Sequence, residues 1–71
     1  MNMRTQVSLA SYTTFGIGGP AEHFVEVATE RELEEAVRFS VERSLPVFVM
    51  GMGSNLLVSD RGFPGVVIRM T

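Results

Sequence analysis

A single amphipathic helix between two apolar segments is the feature that most constrains the fold of this chain. Its apolar face is formed by Leu33, Ala36, Val37, Ser40 and Val41, which follow the spacing i, i+3, i+4, i+7 and i+8. Thr29 followed by Glu32 has the form of a capping box, and Pro46 prevents any continuation of the helix. We therefore predict a helix over about residues 30–43.

Apolar segments on both sides of this helix predict short strands. The segments HFVEVA and PVFVM, about residues 23–28 and 46–50, are rich in strand-forming side chains. A strand, a helix and a strand joined by short connections form a parallel crossover unit. PVFVM shows no polar alternation, which predicts that both of its faces are buried. A further strand is expected at VVIRM, about residues 66–70, and NLLVSD is a candidate for a brief one.

The order of these elements defines the expected fold class. We predict an α+β fold built on an α/β crossover unit, in the order β-α-β-β, preceded by a leader over residues 1–22. The 71 residues form one partial domain, because a chain of this size supports one small core at most. A single helix covers one face of a sheet, so we expect the other face to present Val, Ile and Phe side chains to water. The chain is therefore expected to be part of something larger or to need a partner surface.

Composition argues against several classes of function. With no cysteine and one histidine, a disulfide framework, a thiolate nucleophile and a transition-metal site are all disfavoured. The formal net charge of −2 gives no electrostatic basis for binding nucleic acid or anionic lipid. No segment approaches the roughly 18 uninterrupted apolar residues of a membrane helix, and the first residues lack the pattern of a secretory signal. These features predict a cytoplasmic protein.

A glycine-rich segment directly after the second strand is the main candidate for a binding site. It consists of Gly51, Met52, Gly53, Ser54 and Asn55. Glycines let a ligand approach the backbone closely, and successive N–H groups in such a turn can bind an anion. A turn at the carboxyl end of a strand in an α/β unit also lies where ligands usually bind. On the spacing alone, a tight turn between two strands that binds nothing is the alternative.

This segment differs from the two common phosphate motifs. No Gly-Lys-Ser/Thr follows it, so it is not a Walker loop, and Leu56 stands where the Rossmann fingerprint has its third glycine. No lysine or arginine lies between Gly51 and Ser59, so neutral dipoles would hold a phosphate there. Such a site suits a pyrophosphate that is anchored and not transferred. A second glycine cluster, within residues 13–24, fits G-x-G-x-x-G/A by letter but precedes a strand, and we interpret it as a structural turn.

The remaining polar and turn residues are interpreted as structural. The segment RGFPG, residues 61–65, has the composition of a turn. His23 is expected at the surface or at a strand edge, and Tyr12 in a packing role. Glu22 and Glu26 have no partner carboxylate that would support paired acid–base chemistry.

Two segments of the chain carry a resemblance to a known family. SYTTFGIGGPAEHFVEV, followed by the helix and then by PVFVMGMGSNLLVSDRGFPGVVIRM, resembles the N-terminal part of the UDP-N-acetylenolpyruvoylglucosamine reductases. That family belongs to the vanillyl-alcohol-oxidase-like, or PCMH-type, FAD-binding superfamily. The resemblance extends from about Ser11 to Arg69, and it is specific because both glycine motifs occur in order around one strand and one helix.

The resemblance implies a fold, a cofactor and a reaction. The chain would form the first half of an FAD-binding domain, and the main-chain amides of Gly51, Met52, Gly53, Ser54 and Asn55 would surround the FAD pyrophosphate. NADPH would reduce FAD, and the flavin would reduce the enolpyruvyl ether of UDP-N-acetylglucosamine to UDP-N-acetylmuramate, a step in making peptidoglycan precursors. The catalytic serine, arginine and glutamate of the family lie downstream of the matched region. We therefore assign no catalytic residue and no metal ligand within this chain.

Two other functions stay open on the sequence. Another FAD-linked oxidase or dehydrogenase of the same superfamily would share the loop, although such enzymes often carry a nearby histidine for covalent flavin attachment, and residues 51–55 and their neighbours contain none. A non-catalytic phosphate-binding or interaction module would need a partner chain for its open strand edges.

Overall fold

A computed structural model describes residues 2–12, 19–50 and 62–71, and in these ranges four strands form one mixed sheet with an α-helix on one side. The elements are β1 (Met3–Ser8), a short 3-10 helix (Leu9–Tyr12), β2 (Pro20–Val27), α1 (Glu30–Glu42), β3 (Val47–Met50) and β4 (Phe63–Met70). The strand order is β1-β2-β4-β3. β2, β4 and β3 are parallel, and β1 is antiparallel to β2. This arrangement agrees with the predicted α+β class.

α1 ends in a turn whose left-handed residue is a serine and not the usual glycine. Ser44 adopts a left-handed φ of 54° just beyond the helix. Its N–H donates to the carbonyl of Val41 at 3.1 Å, and the N–H of Leu45 donates to the carbonyl of Ser40 at 2.9 Å. These two bonds form a Schellman motif, which satisfies the last carbonyls of the helix and sends the chain back towards β3.

The leader contains a strand that the sequence analysis did not predict. β1 lies within residues 1–22 and pairs with β2 from Met3 opposite Val25 to Ser8 opposite Pro20. The observed order is therefore β-β-α-β-β, and the predicted β-α-β-β order lacks its first strand. Most β1 side chains are exposed, so no apolar alternation marks the strand, and its conformation is imposed by pairing with β2.

The strands β2 and β4 begin about three residues earlier than the apolar pattern suggested. Phe63, Pro64 and Gly65 belong to β4, so the prediction of a turn over residues 61–65 is wrong for these three. The register shifts between Ala21 and His23 of β2, where β4 contains an extra residue. Proline is tolerated in a strand at such an irregularity, because the strand does not need an N–H at every position there.

Apolar side chains are buried on both sides of the sheet. The helix-side cluster comprises Val25, Val27, Ala36, Val66 and Ile68. The cluster on the other side comprises Leu9, Ala21, Phe24, Met50 and Val67. The expectation that this second face would be open to water is wrong, because the 3-10 helix brings Leu9 and Tyr12 against it and Phe24 is fully buried.

β3 is less buried than predicted. The absence of polar residues suggested two covered faces, but Val47 is 39% exposed and Val49 is 50% exposed. β3 is the last strand of the sheet, and the main contacts of α1 are with β2 and β4. Within residues 2–12, 19–50 and 62–71, no helix therefore covers the α1 side of β3 as α1 covers β2 and β4.

Candidate functional site

Three parallel strands end at one edge of the sheet, which we call the carboxyl edge. β2, β3 and β4 end there at Val27, Met50 and Met70. α1 begins at the same edge, since only Ala28 and Thr29 separate it from β2. Ligands of α/β sheets bind beyond the carboxyl ends of the strands. The carboxyl edge is therefore the candidate site.

The predicted binding segment follows β3 at this edge. Met50, the last residue of β3, is buried and lies opposite Arg69 in the ladder with β4. The chain then enters the predicted site residues Gly51, Met52, Gly53, Ser54 and Asn55, which lie outside the described residues, as does the segment NLLVSD. The structure thus fixes the point from which the chain enters this segment, and the anion cradle itself stays a prediction.

The amino end of α1 is capped by the side chains of Thr29 and Glu32. The Thr29 hydroxyl accepts a hydrogen bond from the N–H of Glu32 at 3.2 Å. The Glu32 carboxylate in turn accepts the Ala28 N–H at 2.9 Å and the Thr29 hydroxyl at 3.3 Å. The Ala28 hydrogen bond, followed by those of Thr29, holds the pKa of Glu32 below its ordinary value of 4.5.

This cap has a consequence for any anion at the carboxyl edge. A free helix terminus offers N–H donors and a positive dipole to phosphates. Here the Thr29 hydroxyl takes the N–H of Glu32, and the carboxylates of Glu30 and Glu32 lie in the first turn, where they repel a second anion. The amino end of α1 is therefore a poor site for a phosphate.

A charged network crosses the sheet near the same edge, on the face opposite α1. Glu26 of β2 accepts Arg69 of β4 at 2.6 Å and Arg4 of β1 at 3.2 Å. Exposed pairs of this kind contribute at most about 1 kcal/mol each. Two guanidinium groups share one carboxylate, so the network retains one positive charge in excess.

Aromatic rings pack against the side chains of this network. The ring of Tyr12 stacks on Phe24 with centroids 4.7 Å apart, and Arg4 donates to the Tyr12 hydroxyl at 3.2 Å. The guanidinium carbon of Arg69 lies 5.3 Å from the Tyr12 ring centroid, within the range of a cation–π contact. Tyr12 therefore packs on Phe24 and also contacts both guanidinium groups of the network.

Sequence reasoning missed this network for an identifiable reason. Arg4 lies in the leader, its partner Glu26 is 22 positions further along the chain, and Arg69 is another 43 positions beyond Glu26. One signal was present: Glu26 shares a strand face with Phe24, and a carboxylate on an otherwise apolar face needs a cationic partner from a neighbouring strand.

His23 lies inside β2 and not at its beginning, because β2 starts at Pro20. Its ring meets Phe39 of α1 edge-on at 5.3 Å, and its Nε2 lies 3.5 Å from the carboxylate of Glu22. Among the described residues, no three His, Asp or Glu side chains gather as metal ligands. The helix in this part of the chain has neither the length nor the apolar character needed to cross a membrane.

Comparison with known proteins identifies the family. The sequence model of the family described as "FAD binding domain" matches residues 20–71, from the first residue of β2 to the end of the chain. The chain belongs to this family. The matched region of this FAD binding domain contains β2, α1, β3, the predicted loop and β4, and it leaves out β1.

Several curated relatives are similar over nearly the whole chain. UDP-N-acetylenolpyruvoylglucosamine reductase 2 of Symbiobacterium thermophilum is 46% identical over 69 residues, which cover 97% of this chain and 22% of the relative. The reductase of the same name from Protochlamydia amoebophila is 48% identical over 92% of this chain and 22% of its own length. That of Thermobifida fusca is 54% identical over 90% of this chain and 18% of its own length. The chain thus spans about a fifth of the curated relatives that it matches.

Two features of the described part of this FAD binding domain lie at the carboxyl edge. Three strands deliver the chain to that edge, and one of them leads directly into the glycine-rich segment. The excess positive charge of the Arg4–Glu26–Arg69 network lies beside the last residue of β3. A diphosphate, which is negatively charged, is compatible with both features.

Proposed function

We propose that the chain is the N-terminal portion of the FAD-binding domain of a UDP-N-acetylenolpyruvoylglucosamine reductase, with the vanillyl-alcohol-oxidase or PCMH type of fold. The names of the relatives support the activity, and the matched share of each relative supports a portion of a longer enzyme. The structural observation that carries the proposal is the course of β3. It ends at the carboxyl edge and leads into Gly51.

In this proposal the cofactor is held by backbone and not by charged side chains. The main-chain amides of Gly51, Met52, Gly53, Ser54 and Asn55 would donate to the FAD diphosphate. The absence of a Cβ at Gly51 and Gly53 would allow close approach. The competing anion site, the amino end of α1, is disfavoured by the Thr29 cap and by two acidic side chains in the first turn. When bound, FAD supplies the capacity to accept and return a hydride.

The remainder of the reaction would be carried by the rest of the enzyme. We propose NADPH as the hydride donor and the enolpyruvyl ether of UDP-N-acetylglucosamine as the substrate, giving a peptidoglycan precursor. This reduction requires an acid that protonates the carbanion-like carbon formed next to the carboxylate, and groups that stabilise the charge developing on that carboxylate. We assign neither role to this chain, whose contribution is binding and orientation of the flavin. Location in the cytoplasm stays a prediction from the sequence.

The test compares two variants of the complete protein that contains this chain. Gly53→Val places a β-branched side chain in the predicted cradle. Ala28→Val adds the same side chain at an exposed position on the same edge. We expect Gly53→Val to weaken FAD binding by at least about tenfold, because a Cβ blocks the approach of the phosphates or the required φ. Ala28→Val should keep its flavin.

Three results would change the proposal. Equal flavin retention in both variants would contradict the cradle. A wild-type protein that is yellow but does not oxidise NADPH with the enolpyruvyl substrate would belong to another group of FAD-dependent oxidoreductases. A wild-type protein that binds no flavin would be a non-catalytic module.

A further inference from the structure

An exposed group of aliphatic side chains lies outside the candidate site. We call it the valine patch, and it consists of Val37, Val41, Val47 and Val49. Val41 is the most open, with 70% of its surface exposed. Single exposed apolar residues are ordinary, but a contiguous group marks an interaction surface.

The two strand residues of the patch lie on the α1 side of the sheet. In the parallel ladder, Val47 is opposite Val66 and Val49 is opposite Ile68. Val66 and Ile68 belong to the cluster covered by α1. Paired residues of adjacent strands point to the same face. Val47 and Val49 therefore continue the helix-side core beyond the reach of α1.

The two helix residues of the patch lie on the flank of α1 that faces β3. On the opposite flank, Phe39 contacts His23 of β2. At about 3.6 residues per turn, Val37 and Val41 lie on the side of the helix away from Phe39. Because the strand order is β2-β4-β3, this is the β3 side. A shallow groove on the surface of α1 is lined by Leu33, Glu34, Val37, Arg38 and Val41.

We infer that an amphipathic helix from the part of the same protein outside residues 1–71 packs against the valine patch, beside α1 and across β3. The inference rests on the proposed function, because the relatives are about five times longer than this chain. α1 occupies the space above β2 and β4, and helices packed side by side are about 8–10 Å apart, roughly two strand spacings. The next helix would thus lie over β3, with aliphatic side chains towards the valines.

The size of the patch argues against a second copy of the chain as its occupant. A stable interface between two molecules buries about 800 Å² on each partner. The exposed fractions of the four valines together amount to about two fully exposed valine residues, which is a small part of this area. A helix joined covalently to the same polypeptide needs less area, because its effective concentration is high.

The test measures thiol labelling of single cysteines in the complete protein. Val41→Cys and Val49→Cys report on the patch, and Glu35→Cys reports on an exposed position of α1 away from it. Maleimide labelling is followed at each site by mass spectrometry, at two protein concentrations tenfold apart. We expect both patch cysteines to react at least about tenfold more slowly than the Glu35→Cys control at either concentration.

Two outcomes would overturn the inference. Equal labelling of patch and control cysteines would show that nothing covers the patch. Protection that disappears on dilution would show that a second copy covers it. Flavin content and NADPH oxidation of the unlabelled wild-type protein test the proposed function separately. A protein that binds flavin and oxidises NADPH, but whose patch cysteines are labelled as fast as the control, would contradict this inference and leave the proposed function intact.

Discussion

The two ends of the parallel strands are built in contrasting ways. At the amino edge, where the strands begin, glycines pack directly against backbone: a Cβ on Gly62 would lie 2.0 Å from the carbonyl oxygen of Pro20, and a Cβ on Gly65 would lie 2.2 Å from that of Pro46. At the carboxyl edge the chain places charged and hydrogen-bonding side chains instead, including Thr29, Glu26 and Arg69. One edge excludes side chains, whereas the other presents them.

This difference indicates that the amino edge serves stability and the carboxyl edge serves binding. Close backbone packing at the amino edge holds the three parallel strands in register. The carboxyl edge has open polar positions, from which a ligand-binding segment can extend without disturbing the core. Substitutions at the amino edge should therefore reduce stability and spare flavin binding in the molecules that fold.

The largest effect is expected for Gly65→Ala. The added methyl group would collide with the Pro46 carbonyl, which accepts the Val66 N–H at 2.9 Å and joins β3 to β4. We expect a loss of about 3 kcal/mol of unfolding free energy in the complete protein, measured by urea denaturation. Thr5→Ala, on the exposed surface of β1, is the control and should change it by less than about 0.5 kcal/mol.

A smaller effect is expected at the carboxyl edge for Thr29→Ala. Loss of the capping hydroxyl leaves the N–H of Glu32 without its partner and should cost about 1 kcal/mol. Thr29→Ser keeps the hydroxyl and should retain most of this stability. Thermal unfolding of both variants checks the prediction, and equal destabilisation by Ala and Ser would refute a capping role.

The smallest loss of unfolding free energy is expected for Glu32→Gln, and the size of this loss should depend on pH. Hydrogen bonds to the Glu32 carboxylate lower its pKa in the folded protein. The carboxylate therefore adds stability above the ordinary pKa of 4.5, and this contribution disappears as the pH falls through the lowered value. The difference between wild type and Glu32→Gln should be present at neutral pH and shrink in acid.

Glu35→Gln makes the same charge change on an exposed part of α1 and corrects for net charge. Unfolding curves of the two variants between neutral and acid pH give the comparison. A Glu32→Gln defect that persisted unchanged below the lowered pKa would exclude the carboxylate as its cause.

The sequence predicted the parts of the fold that depend on local signals. α1 was placed by its apolar spacing and by Thr29, and both act within a few residues. β1 was missed, since its exposed side chains follow no pattern and only the pairing with β2 makes it a strand. The start of β4 was misjudged because Pro64 and Gly65 usually indicate a turn, whereas here the register shift accommodates them.

The site was predictable in part, for the same physical reason. The glycine-rich segment after β3 is a local motif, and its assignment to the FAD diphosphate stays a prediction. The Arg4–Glu26–Arg69 network joins three strands and needed the sheet order to become visible. The buried second face could not be foreseen either, because Leu9 and Tyr12 reach it from a segment that carried no helix signal.

The antiparallel course of β1 has a practical consequence for protein production. Since Met3 lies opposite Val25, the polypeptide enters β1 beside the carboxyl edge, where the segment that follows Met50 also departs. A purification tag or fluorescent fusion attached ahead of Met3 would therefore emerge next to the edge where we propose that the flavin diphosphate binds. Affinity handles for cofactor titrations belong at the other terminus of the expressed protein.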